Sequence, residues 1–193
     1  NKLIEQRHGK RVDFLTVDHV ECTRAKQGYF QDNVQSVAME IRHSSFSTLS
    51  PDLPTDGAIH IEAGGVTITD SFIGVQSAPA AGQTGIFFSA ISSVSIRRNR
   101  FEFGRDAEST DSLRNGPIEV VKIGDGGGIS DTRYIGENTW VMGGGTGLNY
   151  KCLSVNARGA LIFEGNSLIA SGPITSDPGF GDCTLEVNNS VNS

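Results

Sequence analysis

Cysteine, methionine and tryptophan are scarce in this chain, with three, two and one among 193 residues. Cys22, Cys152 and Cys183 are too few for a disulfide framework and form no CxxC pair that could seat a metal. Buried free thiols are the simpler reading; a bridge between Cys152 and Cys183, about one repeat apart, is the other. Positive charge is also in deficit. Sixteen Lys and Arg face 22 Asp and Glu, a net charge of −6, which argues against nucleic acid as the main partner and against docking on an anionic membrane. No apolar run approaches the roughly 18 residues that span a bilayer, so no membrane insertion is expected. Asn1 to Arg11 is charged and does not read as a secretory leader. The chain begins with Asn rather than Met, so that reading carries little weight.

What is plentiful is glycine, 24 residues, with a moderate 37% of hydrophobic residues. That balance suits many turns around a narrow continuous core. An internal repeat organises them. Five segments begin with an apolar residue, at Ile41, Ile68, Ile96, Ile135 and Phe163, mostly 27 or 28 residues apart with one interval of 39. Three positions later stands a small polar residue each time: Ser44, Ser71, Asn99, Asn138, Asn166. Five positions later stands a large apolar one: Phe46, Ile73, Phe101, Trp140, Leu168. Two before the leading residue come Met39, Val66, Val94, Arg133 and Leu161, where Arg133 is the only misfit.

Alternation such as Val66-x-Ile68 describes a strand with one buried face. The polar residue at the third position marks a tight turn, where Asn tolerates a left-handed backbone and can bond to the Asn of the next unit. A third set of strands is expected before each unit, anchored at Ile59, Phe87, Ile118, Leu153 and Leu185. Three strands per period of about 28 residues predict an all-β fold, a right-handed parallel β-helix of about five coils. A single coil cannot bury its own core, so neighbours must stack. An antiparallel sandwich also alternates, but it would not hold the same residue classes at the same offsets through five units. Residues 1–28 are expected to form an N-terminal segment or cap, and 29–193 the β-helix. With its inward aliphatic columns and Asn ladder, the stretch from Tyr29 to Val187 resembles the pectate-lyase-like superfamily of polysaccharide lyases, polygalacturonases and bacteriophage tailspikes. Tailspike or virion β-helix modules are closest in character.

The repeat is interrupted in one interval by 11 extra residues, in Glu102–Asp111 and around Gly124–Gly128. With the connections Gly74–Thr84, Gly143–Lys151 and Ile169–Asp182, these loops are expected to line one rim of the solenoid, a natural place for function. The glycine-rich stretches Gly124–Gly128 and Gly143–Gly147 lack the Lys-Ser/Thr and the helix of a phosphate loop, so they read as turns. Asp125, Asp131 and Glu137 could hold a lone hard cation, but solvated acids are the simpler reading. No metal and no cofactor is expected.

Hydrolysis of a sugar chain needs two carboxylates at a defined separation. If Ile59, Ile118 and Leu185 point inward, then His60, Glu119 and Glu186 share an outward column with Phe88 and Ser154, extended by Glu62. Glu119 and Glu186 would lie about 10 Å apart, two strand spacings, marginal for an inverting glycosidase. They are weak catalytic candidates, since exposed glutamates are usually only solvated. On the neighbouring face Arg42, Thr69, Arg97, Gly136 and Glu164 form an outward column. Arg97, Arg98 and Arg100 then make a basic patch, read either as paired with the acidic 102–111 segment or as a contact for an anionic sugar. His60, Glu62, Arg97, Arg98 and Arg100 are therefore the candidate substrate-binding residues.

Three function classes remain at this stage. One is a virion or tailspike-like module that oligomerises and presents a face to host surface polysaccharide. The others are a polysaccharide lyase or glycoside hydrolase, and a structural or adhesive cell-surface solenoid. About five coils are short for an enzymatic cleft of this fold, which favours the first and third. The chain stops at Leu185-Glu186-Val187-Asn188, inside a coil, and an uncapped end favours assembly, most simply a trimer with an exposed Phe88 at the contact. A virion or extracellular location follows from that reading.

Overall fold

A computed structural model describes residues 2–6, 12–23, 27–31, 36–48, 59–61, 64–75, 84–88, 91–103, 118–123, 131–143, 150–155, 159–171 and 183–187. The chain is all-β. The first strands are β1 (Lys2–Gln6), β2 (Val12–Asp18), β3 (Glu21–Thr23), β4 (Gln27–Gln31), β5 (Ser36–Arg42) and β6 (Ser45–Thr48). Next come β7 (Ile59–Ile61), β8 (Gly64–Thr69), β9 (Phe72–Val75), β10 (Thr84–Phe88), β11 (Ile91–Arg97) and β12 (Arg100–Phe103). The last are β13 (Ile118–Ile123), β14 (Thr132–Gly136), β15 (Thr139–Gly143), β16 (Tyr150–Val155), β17 (Ala160–Glu164), β18 (Ser167–Ser171) and β19 (Cys183–Val187).

Every third strand joins the same sheet. The first sheet runs β1-β4-β7-β10-β13-β16-β19, the second β2-β5-β8-β11-β14-β17, and the third β3-β6-β9-β12-β15-β18. All pairings are parallel. Such an order is consistent with a β-helix-like solenoid. β1, β2 and β3, all within residues 1–28, pair with β4, β5 and β6 and so extend the three sheets.

The register puts the repeat's columns into real ranks. Leu15, Met39, Val66, Val94, Arg133 and Leu161 lie in line across the second sheet, followed two residues on by Val17, Ile41, Ile68, Ile96, Ile135 and Phe163. Across the third sheet Cys22, Phe46, Ile73, Phe101, Trp140 and Leu168 are aligned. From Val17 to Ile135 and from Cys22 to Trp140 these ranks form one buried core. Phe101 and Trp140 stack with centroids 4.4 Å apart, so consecutive strands supply one aromatic pile. Arg133 keeps its place in the inward rank and is 1% exposed. Burial pushes its guanidinium pKa down, and the charge of Asp131 pulls it back up.

Between the second and third sheets runs the expected polar ladder. The backbone N–H of Ser44 donates to Ser71 Oγ, that of Ser71 to Asn99 Oδ1, that of Asn99 to Asn138 Oδ1 and that of Asn138 to Asn166 Oδ1, at 2.9–3.1 Å. The amide groups of Asn99, Asn138 and Asn166 donate in turn to the carbonyls of Ile68, Ile96 and Ile135. One expectation needs correcting here. The left-handed residue of each turn is the one before the ladder residue: His19, His43, Asp70, Arg98 and Glu137, with φ of 46–59°, and then Gly165. The ladder residue must turn its own N–H and side chain along the stack, so the sharp backbone bend falls on its predecessor. A non-glycine residue there costs roughly 1–2 kcal/mol, which the ladder bonds offset.

The first sheet departs from the expected anchors. Ile59 aligns with Ile86, Val121, Leu153 and Leu185, so the anchors are Ile86 rather than Phe87 and Val121 rather than Ile118. Ile118-Glu119-Val120-Val121-Lys122-Ile123 carries apolar residues on both parities, and alternation alone cannot choose its phase. Phe88 falls in the rank of Ile61 and Ile123, one position from the expected rank of Ser154 and Glu186. Cys183 pairs with Tyr150, not with Cys152.

If the ladder holds the stack, Asn138→Ala should destabilise the chain by about 2–4 kcal/mol, because it strands the N–H of Asn99 and two buried partners. Glu137→Gly, one residue away, should be close to neutral. Denaturant melts of the two variants, compared by midpoint at equal m-value, check the contrast.

Candidate functional site: the outer face and charged corner of the second sheet

Outward positions of the second sheet alternate with its buried ranks. They read Thr16, Glu40, Thr67, Ser95, Tyr134 and Ile162 in one line. Two residues earlier, Phe14, Ala38 and Gly65 form a second line. Short side chains in the middle leave a trough of about 560 Å³, floored by Ala38, Gly65, Thr67, Ser93 and Ser95 and bounded by Phe14 and Tyr134. Phe14 is 62% exposed, more than any other large apolar residue noted as exposed among the described residues. It stands four strands away from Tyr134, about 19 Å at a spacing of roughly 4.8 Å.

Tyr134 is fixed from three sides. Its hydroxyl donates to Glu164 Oε1 at 2.7 Å, and the guanidinium of Arg97 lies over its ring at 4.8 Å. The ring crosses Gly136 so closely that a Cβ there would meet it at 2.5 Å. The bond to Glu164, then burial, raise the phenol pKa above its usual 10.0, so the hydroxyl stays a donor.

Along the turn beside this face, the left-handed residues of successive turns form a charged ridge. Arg98 donates to both oxygens of Asp70 at 2.8 Å, Arg97 Nη2 lies 3.1 Å from Glu137 Oε1, and Arg100 Nη2 lies 3.3 Å from Glu102 Oε2. The expected basic patch is thus a set of ion pairs: Arg100 meets a carboxylate two residues on, and Arg97 and Arg98 each meet one a repeat away. These groups border a shallow, polar hollow of about 500 Å³ with Ser71, Asn99 and Thr139. Arg98's hydrogen bonds, against the opposing effect of burial, hold the Asp70 carboxyl below its usual 3.8.

The other candidates separate. His60 is buried, 5% exposed, rather than outward, because Ile59, His60 and Ile61 are all covered. Its rank continues through Phe87, Lys122, Ser154 and Glu186. Glu119 lies instead in the rank of Lys151 and Thr184. Three residues of strand and two strand spacings then separate the backbones of Glu119 and Glu186 by about 14 Å. Glu62, Asp125 and the rim loops at 76–83, 104–117, 124–130, 144–149 and 172–182 lie outside the described residues. Sequence reasoning missed Phe14 and Tyr134. Their signal was available as outward positions in strands whose neighbours are Ala, Gly, Ser and Thr.

A scan against protein-family models and searches of curated proteins and of solved structures give no significant match to this chain.

The Asp70–Arg98 pair gives a pH test. A carboxyl whose folded pKa is depressed adds stability that is present above its unfolded value and lost as pH falls through the folded one. Asp70→Asn, which still suits the left-handed turn, should melt lower than the parent at neutral pH. The difference should shrink below about pH 3.8 and vanish once the folded carboxyl is protonated, as read by thermal melts from acid to neutral pH.

Proposed function

We propose that the chain is a stack of closed right-handed coils, about six in the described part, forming a virion or tailspike-like module that displays the second sheet's outer face to a host surface polysaccharide. The observation that carries this reading is the trough between Phe14 and Tyr134. A sugar ring offers an apolar C–H face and a polar edge. Exposed Phe14 supplies a stacking surface, Tyr134 an oriented phenol, and Glu40, Thr67, Ser93 and Ser95 supply hydrogen-bonding groups at the spacing of the strands. The sheet repeat of about 4.8 Å lets successive rings of a linear chain meet equivalent positions.

Assembly belongs to the same proposal. Ile162, Phe163 and Ile169, on the outermost strands of two sheets, are 40%, 37% and 48% exposed, and an apolar sheet end favours a neighbouring copy, most simply in a trimer.

The test is binding of the full chain to a panel of capsular and lipopolysaccharide glycans, with light scattering and an assay for new reducing ends and unsaturated products. Phe14→Ala and Tyr134→Ala should each weaken binding about fivefold or more without changing molar mass. If Phe14→Ala instead dissolves an oligomer and leaves glycan binding intact, the face is a subunit contact. Robust product release would make the chain an enzyme, and binding to no glycan would overturn the proposal.

A further inference from the structure

At the far end of the charged ridge, one turn from the Asp70–Arg98 pair, three metal-ligating side chains come together. Asp18 ends β2, His19 is the left-handed residue that follows it, and His43 is the left-handed residue of the next turn. Asp18 Oδ1 lies 2.7 Å from His19 Nδ1 and 3.1 Å from His43 Nδ1. The two imidazoles pile on each other with centroids 5.0 Å apart and planes inclined by 34°. Among the described residues this is the one group of three such side chains whose ligand atoms all lie within 4.8 Å of one another.

We propose that Asp18, His19 and His43 form a site for a single divalent transition-metal ion of the zinc type. The donor set fits the chemistry. Two imidazole nitrogens and one carboxylate oxygen suit Zn²⁺, Co²⁺, Ni²⁺ or Cu²⁺, whereas Ca²⁺ and Mg²⁺ call for oxygen-rich sites. Ligands bound at about 2.0–2.1 Å in a tetrahedron stand about 3.3 Å apart, so the two contacts to Asp18 need to open by less than 1 Å. Exposure of the two rings leaves the remaining coordination positions to water.

The surroundings hold the ligands in place. Arg42 Nε lies 3.0 Å from Asp18 Oδ2, an ion pair that keeps the carboxylate beside the rings. The positive charge of Arg42 is itself matched by Glu40, 3.7 Å away. Both histidines stand where the turn imposes φ of 54° and 46°. The N–H of His19 donates to Arg42 O and that of His43 to Thr69 O. The backbone therefore positions the two rings one above the other before any ion arrives.

That left-handed geometry also supplies a clean test, because glycine fits it without strain. The full chain is titrated with ZnCl₂ by calorimetry and with CoCl₂ by visible d–d absorption. One ion per chain is expected, and excess chelator should remove it. His19→Gly and His43→Gly should each weaken Zn²⁺ binding about tenfold or more while melting as the parent does. Asp18→Asn should weaken it as well, and CaCl₂ should give no heat. Absence of Zn²⁺ binding overturns the proposal. So does binding that survives both glycine variants, since the ion would then sit elsewhere, or binding that responds to only one of them.

Discussion

The interaction on which the rest depends is a backbone N–H placed in the side-chain oxygen of the next turn. A parallel stack of turns presents a problem that strands do not have, because turn amides cannot all pair with turn carbonyls. Here Ser71, Asn99, Asn138 and Asn166 each supply the missing acceptor, and each Asn returns a donor to a carbonyl of the neighbouring strand one repeat earlier. Buried polar groups left without partners would cost about 1–3 kcal/mol apiece. The ladder thus permits the chain to bend sharply between two sheets at the same place in every repeat, and the apolar ranks on either side pile up in register because the bend does.

A fixed bend has a second consequence. It forces the residue before each ladder position into the left-handed region, where His, Asp, Arg and Glu stand out from the surface at the spacing of adjacent strands. Side chains held that close either repel or pair. The ridge resolves this by placing Arg98 between Asp70 and Glu137 and by gathering Asp18, Arg42, His19 and His43 at its end. Order along the ridge is therefore a product of the turn, not of ion pairing, whose exposed contacts add little stability. The outer face beside it has the opposite character: small residues leave a trough, and Tyr134 lies flat because Gly136 has no side chain to lift it.

Much of this was legible in the sequence where one residue class recurs at one offset. The columns headed by Met39, Ile41, Ser44 and Phe46 could be drawn because every unit obeys the same inward and polar demands. The left-handed position could not be seen, since His, His, Asp, Arg, Glu and Gly share no class; only backbone geometry unites them. The unit at Val17 escaped notice because Val20 stands where the others have Ser or Asn, although Ser44 Oγ still accepts its N–H. Phase failed in β10 and β13, where apolar residues occupy both parities. Side-chain contacts one repeat apart, such as Asp18 with His43, leave no short motif for the eye to find.

Amide hydrogen exchange resolved by residue tests the central claim most directly. The account places the N–H groups of Ser44, Ser71, Asn99 and Asn138 among the slowest in the chain, exchanging only through global unfolding although they sit in turns. Exchange of those four at the rate of freely exposed turn amides, with the flanking strands still protected, would contradict it: the sheets would then hold the stack, and the ladder would merely decorate it.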